Sequence, residues 1–114
     1  MMLAMKKFVL IYHGYEISTP EVLEAWRKWF QRRAASFADV GNSFGPGRQI
    51  TNDRTVELSL SSNPASGYSI VNAENIDAAE QLLEGCPIVD SVSLYEAVAT
   101  REHPGKATSK RSNT

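Results

Sequence analysis

Phe8-Val9-Leu10-Ile11-Tyr12 is an uninterrupted apolar run, and the interpretation of the whole sequence starts from it. Successive side chains of a strand point to opposite faces of a sheet, so a run without polar positions predicts a strand that is buried on both faces. Tyr68-Ser69-Ile70-Val71 has the same character apart from Ser69. We therefore expect these two segments to be the inner strands of one sheet.

Two further segments have one polar face. Residues 55–61 alternate apolar with polar side chains after the turn signal Asn52-Asp53-Arg54, and residues 92–98 follow a similar alternation. A period of two with one wet face is typical of a strand that is covered on one side only. These two segments are expected to be the edge strands.

Two helices are expected between the strands. Thr19-Pro20-Glu21 is a helix start, with Thr19 as N-cap, and apolar residues then recur at steps of three and four. This spacing predicts a helix of about five turns that ends near Asp39–Val40, with Gly41 as its stop. The second helix is predicted from the N-cap Asn75 to Gly85.

The predicted order is β-α-β-β-α-β, which indicates an α+β, ferredoxin-like fold with a four-stranded antiparallel sheet and two helices on one face. Inner strands that are apolar on both faces leave the helix-free face of the sheet without a cover. Monomers seldom expose several hundred Å² of apolar surface in one patch. We therefore expect a homodimer that packs sheet against sheet, as in dimeric α/β barrels.

Composition narrows the class of protein. The chain of 114 residues has a formal net charge of −1 and one cysteine, so we expect a single domain over residues 5–100 in a reducing, cytoplasmic compartment. No apolar run is long enough for a membrane span, and no basic surface with stacking aromatics indicates nucleic-acid binding. Residues 1–4 are expected to be a loose end and residues 101–114, with four Lys and Arg against one acidic residue, a disordered basic tail.

Several short motifs together carry a family resemblance. They are Lys7–Tyr12, Gly45-Pro46, Gly67-Tyr68-Ser69-Ile70-Val71-Asn72-Ala73, Ile76-Asp77-Ala78-Ala79 and Gly85-Cys86-Pro87. In this order they resemble the YCII-related (YciI-like, DGPF) family over roughly residues 6–99. The resemblance implies a ferredoxin-like domain that assembles as a dimeric α/β barrel. For some members, small-molecule enzymology through a His/Asp pair has been suspected.

That pair does not carry over to this sequence. Cys86 occupies the position directly before the proline where the family commonly has its acid, and no histidine lies between Thr19 and Asp39. His13, at the end of the first strand, is the remaining candidate for acid–base catalysis. Cys86 follows a helix C-terminus, which disfavours a thiolate, so we interpret it as a packed residue.

The candidate ligand-binding residues are Tyr68, Tyr95, Asn42 and Ser43. Polar side chains at the last two positions are also common in turns, and aromatic residues at these spacings are also common in cores. No metal-ligand spacing occurs, and no cofactor is expected. Two functions remain open: a small dimeric protein that binds or transforms a small organic molecule in a cleft beside the sheet, or a non-catalytic dimeric module that binds a partner or regulator.

Overall fold

Six strands and two helices make up the described part of the chain, which is residues 5–58 and 63–98 of a computed structural model. The strands are β1 (Lys6–His13), β2 (Phe37–Ser43), β3 (Arg48–Ile50), β4 (Thr55–Glu57), β5 (Ala65–Ala73) and β6 (Ser91–Ala97). The helices are α1 (Pro20–Arg32) and α2 (Ile76–Gln81), and a 3-10 turn covers Ala34–Ser36. The expected loose end and basic tail, residues 1–4 and 101–114, lie outside the described residues.

The main sheet has four strands in the order β2-β5-β1-β6, and each neighbouring pair is antiparallel. The inner positions of β1 and β5 confirm the expectation from their apolar runs, and β6 is an edge strand as expected. Without the β3–β4 hairpin, the order of elements is β-α-β-β-α-β, so the α+β class and the ferredoxin-like strand order are present in the structure.

Both helices pack on the same face of the sheet. Phe8 and Leu10 of β1 and Val71 of β5 are fully buried there against Trp29 of α1 and Ala79 of α2. The buried indole Nε1 of Trp29 donates a hydrogen bond to the carbonyl oxygen of Leu82, at 2.9 Å, and so links α1 to the end of α2. Buried polar groups require such partners, and this one also fixes how the two helices lie beside each other.

Helix α1 is shorter than its apolar spacing predicted. Thr19 caps it as expected, accepting a hydrogen bond from the backbone N–H of Val22 at 3.1 Å, but it ends at Arg32. The segment that was predicted to be its last two turns forms the 3-10 turn and the edge strand β2. Phe37 lies opposite Val71 in the sheet, so strand pairing with β5 outweighs the helix preference of the alanines that precede it.

The predicted edge strand over residues 55–61 is therefore wrong as a member of the main sheet. Residues 55–57 form β4, whose partner among the described strands is β3, in a separate hairpin around the turn Asn52-Asp53-Arg54. The alternation identified a strand, but alternation alone does not say which sheet a strand joins. Ile50 in this hairpin is 75% exposed, and the rest of the predicted strand, residues 59–61, lies outside the described part of the chain.

The helix-free face of the sheet is defined by strand register. Val9 lies opposite Ile70 on one side and Tyr95 on the other, while Ile11 lies opposite Tyr68 and Ser93. The four residues on the inner strands are half-buried, whereas Tyr95 on the edge strand is 64% exposed. The centre of this face is thus apolar, as the sequence predicted.

Candidate ligand-binding cleft

A cleft of about 640 Å³ lies at one end of the main sheet. Because the strands are antiparallel, the ends of β1 and β2 and the starts of β5 and β6 meet there. The first two turns of α1 cover the helix side of this end, and the loops after β1 and before β6 form the mouth. The whole cleft is thus built where loops meet a packed scaffold, which is the usual place for a small-molecule site.

The floor of the cleft is aromatic. Tyr12 from β1 meets Trp26 from α1 edge to face, with ring centroids 5.3 Å apart and planes at 83°. Trp26 in turn packs against Phe30 at 5.9 Å. Further apolar side chains extend this surface: Val22, Leu23, Val40, Val89 and Val92. Because the floor residues also pack against the buried core, it is held in one arrangement before any ligand binds.

A hydrogen-bonded chain ties Tyr12 into the sheet. The Tyr12 hydroxyl donates to Ser69 Oγ at 2.7 Å, and the Ser69 hydroxyl donates to the carbonyl oxygen of Val40 at 2.7 Å. Burial raises the pKa of Tyr12 to about 12, more than the hydrogen bond to Ser69 lowers it. Tyr12 is therefore a neutral donor near neutral pH, and its role is to hold the floor rather than to accept a proton.

His13 lies on the rim of the cleft, and both of its ring nitrogens have partners. Nδ1 is 3.3 Å from the carbonyl oxygen of Asn63, and Nε2 is 3.0 Å from Ser93 Oγ. A carbonyl oxygen only accepts, so in the neutral ring Nδ1 carries the proton and Nε2 accepts from the Ser93 hydroxyl. Among the described residues no carboxylate is hydrogen-bonded to His13, so the geometry is not that of a His/Asp pair.

Asn42, Ser43 and Tyr68 also line the cleft, at the junction of β2 and β5. A bulge at Gly41 makes this junction: its φ is +83°, and an added Cβ would lie 1.7 Å from the Tyr68 carbonyl oxygen, which only glycine avoids. The Tyr68 hydroxyl donates to Asp39 Oδ2 at 3.3 Å, and its ring stacks on Phe44 at 5.8 Å. Gly41, predicted to stop a helix, instead shapes the polar wall of the cleft.

Two of the residues singled out in the sequence lie elsewhere. Tyr95 is on the helix-free face of the sheet and does not line the cleft. Cys86 packs against the core beyond α2, and burial raises the pKa of its thiol to about 12. A raised thiol pKa agrees with the expectation from the sequence, although its cause is burial rather than the helix terminus. At neutral pH Cys86 is a protonated thiol and a poor nucleophile.

The sequence reasoning missed most of the floor and two partners on the rim. Tyr12, Trp26 and Phe30 were interpreted as strand and helix core, and periodicity alone does not separate a core position from a cleft floor. Ser93 was interpreted only as a polar residue in an edge strand. Antiparallel pairing between the first and last strands is the signal that places it next to His13.

Within residues 5–58 and 63–98, no cluster of three or more His, Cys, Asp or Glu side chains has an arrangement suited to a metal ion. In the same part of the chain, no helix has the length and apolar character to cross a membrane.

No protein-family model and no curated protein sequence matches the chain. Among solved structures, one that resembles it is a dimeric ferredoxin-like protein of unknown function from Thermobifida fusca. The two share 10% sequence identity with a TM-score of 0.41, and the similarity covers 83% of this chain and 91% of that chain. Similarity at this level is too low to transfer details of fold, assembly or function.

Proposed function

We propose that this protein binds a small organic molecule in the cleft at the end of the sheet. The observation that carries the proposal is a cleft of about 640 Å³ with an aromatic floor and a polar rim. Small-molecule sites are commonly about 300–1,000 Å³, mostly apolar, with a few polar groups that orient the ligand. Trp26 and Phe30 supply the apolar contact surface, and His13, Asn42 and Ser43 supply the polar rim.

Two exposed valines give a matched test. Val40 lines the cleft and is 57% exposed, so Val40→Trp fills the cleft without disturbing the core. Val98 follows β6, is 62% exposed and lies outside the cleft, so Val98→Trp is the control. In a thermal-shift screen, neutral aromatic fragments should raise the melting temperature of the wild type and of Val98→Trp, but not of Val40→Trp. A fragment at about three times its Kd adds roughly 0.8 kcal/mol, or about 3 °C or more for a domain of this size.

We also propose that the protein is a homodimer through the helix-free face of the sheet. Four strands of about seven residues present roughly 450 Å² in plan, and the centre of this face is made of Val9, Ile11 and Ile70. Covering such a patch is favourable by about 25 cal/mol per Å². Sedimentation or light scattering at micromolar concentration should show a dimer. Tyr95→Glu, at the edge of the patch, should shift it to monomer, whereas Ile17→Glu, in the loop before α1, should not.

Membership of the YCII-related family is part of the same proposal. Its support is that the resembling segments lie on corresponding elements: residues 67–73 in β5, residues 76–79 in α2 and residues 85–87 directly beyond α2. The proposal includes the dimeric α/β barrel but not the His/Asp pair, since Cys86 replaces the acid. A sensitive profile comparison with family members tests the membership, and a crystal structure tests the assembly. A crystal structure that lacks the barrel would contradict the proposed assembly.

The second candidate is a non-catalytic dimeric module that binds a partner or regulator, and the bonding of His13 favours a non-catalytic role. Its two ring nitrogens are engaged by Ser93 and the Asn63 carbonyl rather than directed at the centre of the cleft. Catalysis through His13 would require one of these bonds to open. If His13→Gln leaves ligand affinity unchanged and no turnover of bound ligands is detected by mass spectrometry, the protein is a binding module.

A further inference from the structure

The formal charge of the cleft lining is negative. Among the described residues that line it, Glu16 carries the sole formal charge, and no lysine or arginine is present. Sites for phosphates and carboxylates normally provide arginine, lysine or a helix N-terminus directed at the anion. This lining therefore offers an anionic ligand no lysine or arginine, and the N-terminus of α1 beside it is already capped by Thr19 and has Glu21 in its first turn.

Two further carboxylates lie directly behind the lining. Asp39 Oδ2 accepts the hydrogen bond from the Tyr68 hydroxyl at 3.3 Å. Asp90 packs against Gly14, where an added Cβ would lie 2.7 Å from Asp90 Oδ2. Glu16 and Asp90 lie in the two loops that form the cleft mouth, and Asp39 adds a third negative charge behind Tyr68. A cleft with low-dielectric walls concentrates such a field.

The positive side chains that have partners are engaged elsewhere. Lys6, at the start of β1, is paired with Glu96 of β6. This end of the sheet is opposite to the cleft. Arg27 and Arg48 are paired with glutamates on α1 and on the β3–β4 hairpin. Arg33 donates to backbone carbonyl oxygens at the end of α2. None of the four lines the cleft.

Aromatic rings supply a second attraction of the same sign. Tyr12, Trp26, Phe44 and Tyr68 all contribute to the lining. The face of an aromatic ring carries negative electrostatic potential and attracts cations within about 6 Å. Neutral planar molecules also pack well on such faces, whereas anions are repelled by them.

We propose, on the basis of the binding function above, that the cleft takes a planar, largely apolar molecule whose polar group is neutral or positively charged, such as an aromatic amine. It selects against the corresponding aromatic acid. The floor supplies the apolar contacts, and the negative potential at the mouth sets the charge of the group that the ligand places there.

Three indoles that differ only in their terminal group test this: tryptamine (ammonium), tryptophol (hydroxyl) and indole-3-propionate (carboxylate). A molecule of about twelve heavy atoms at ordinary ligand efficiency binds in the millimolar range, so titrations are followed by ¹⁵N NMR. The two tryptophans provide an internal control. The Trp26 indole lines the cleft and should shift, while the buried Trp29 indole, bonded to the Leu82 carbonyl, should not.

Tryptamine is expected to bind about threefold or more tightly than indole-3-propionate at low salt, with the ratio falling at high salt. Glu16→Lys should bring the ratio to about one or below, whereas Glu80→Lys, on α2 outside the cleft, should leave it unchanged. Indole-3-propionate binding as tightly as tryptamine would overturn the inference on charge and leave the binding function intact. No shift of Trp26 with any of the three would overturn both.

Discussion

The clearest prediction for stability concerns alkaline pH and the Cys86 thiol. Burial raises the pKa of this thiol from 9.0 in the reference state to about 12 in the fold. Because the folded pKa lies above the unfolded one, the stabilisation from keeping the thiol protonated is complete below about pH 9. It is lost as the pH rises from there toward 12. The perturbation is therefore a pH series on wild type and on Cys86→Ala.

The magnitude follows from proton linkage. Between about pH 8 and pH 10, a thiol with an unfolded pKa of 9.0 and a folded pKa well above 10 loses about 1 kcal/mol of stabilisation, a value that allows for its partial solvent contact. The Tyr12 hydroxyl also loses stabilisation as the pH rises, between its unfolded pKa of 10.0 and its folded pKa of about 12. By pH 10 this loss is only about 0.4 kcal/mol. Most of the pH dependence in this window therefore belongs to Cys86.

The assay is urea unfolding, under reductant, followed by tryptophan fluorescence at several pH values. Cys86→Ala is expected to be less stable than wild type at pH 8, because it removes a packed sulfur, but the gap should narrow by about 1 kcal/mol by pH 10. Ultraviolet absorbance of the thiolate gives an independent measure of the titration in the folded protein. Two results would refute the reasoning: a stability difference between the two proteins that does not change with pH, or a thiolate that forms in the folded protein with a midpoint near pH 9.

Two comparisons test how the cleft is held together. Ser69→Ala orphans both the Tyr12 hydroxyl and the Val40 carbonyl and should cost about 2–4 kcal/mol of unfolding free energy, while Tyr12→Phe leaves the second bond intact and should cost about 1 kcal/mol. Losses that add up in the double mutant would contradict a shared chain. Gly41→Ala should cost at least about 2 kcal/mol through backbone strain and contact with a β5 carbonyl, whereas Gly45→Ala, with open space around it, should be nearly neutral. Thermal unfolding of both variants distinguishes the two.

The inner strands were predictable because burial on both faces leaves a direct mark on composition. Phe8–Tyr12 and Tyr68–Val71 are apolar at nearly every position, and few other environments produce such short runs between turn signals. The caps Thr19 and Asn75 were predictable for a similar local reason, since each side chain accepts from a backbone N–H three residues ahead. These features need no knowledge of the rest of the molecule.

The edge strand β2 was not predictable in the same way, because tertiary contacts determine it. Residues 34–40 contain alanines and a phenylalanine at helical spacing, and the backbone becomes extended only because Phe37 pairs opposite Val71. Conversely, residues 55–57 form a strand as predicted, but its partner in the described part of the chain is β3 and not a strand of the main sheet. Pairing partners come from long-range geometry, which a period of two does not contain.

The candidate site shows the same division between local and long-range evidence. His13 was singled out at the end of a strand, Asn42 and Ser43 beside a turn, and Tyr68 as an aromatic residue, and all four line the cleft. Tyr95 was singled out on the same ground as Tyr68, its aromatic ring, but it lies opposite Val9, away from the end of the sheet where the cleft is. Position at a strand end was therefore the informative signal, since in an antiparallel sheet it also determines which ends meet.

The floor and the rim of the cleft have different physical bases, and this determines what each can contribute to binding. The floor is continuous with the core: Trp26 packs against the buried Trp29, and Tyr12 is bonded to the fully buried Ser69. A surface held by the core is already ordered, so a ligand that packs on it loses little free energy to reorganisation. The rim side chains His13, Asn42 and Ser43 lie at strand ends and beside the Gly41 bulge, outside the buried core. Affinity should therefore follow the apolar area that a ligand places on the floor, while selectivity, including the preference against anions, should follow the few polar side chains of the rim.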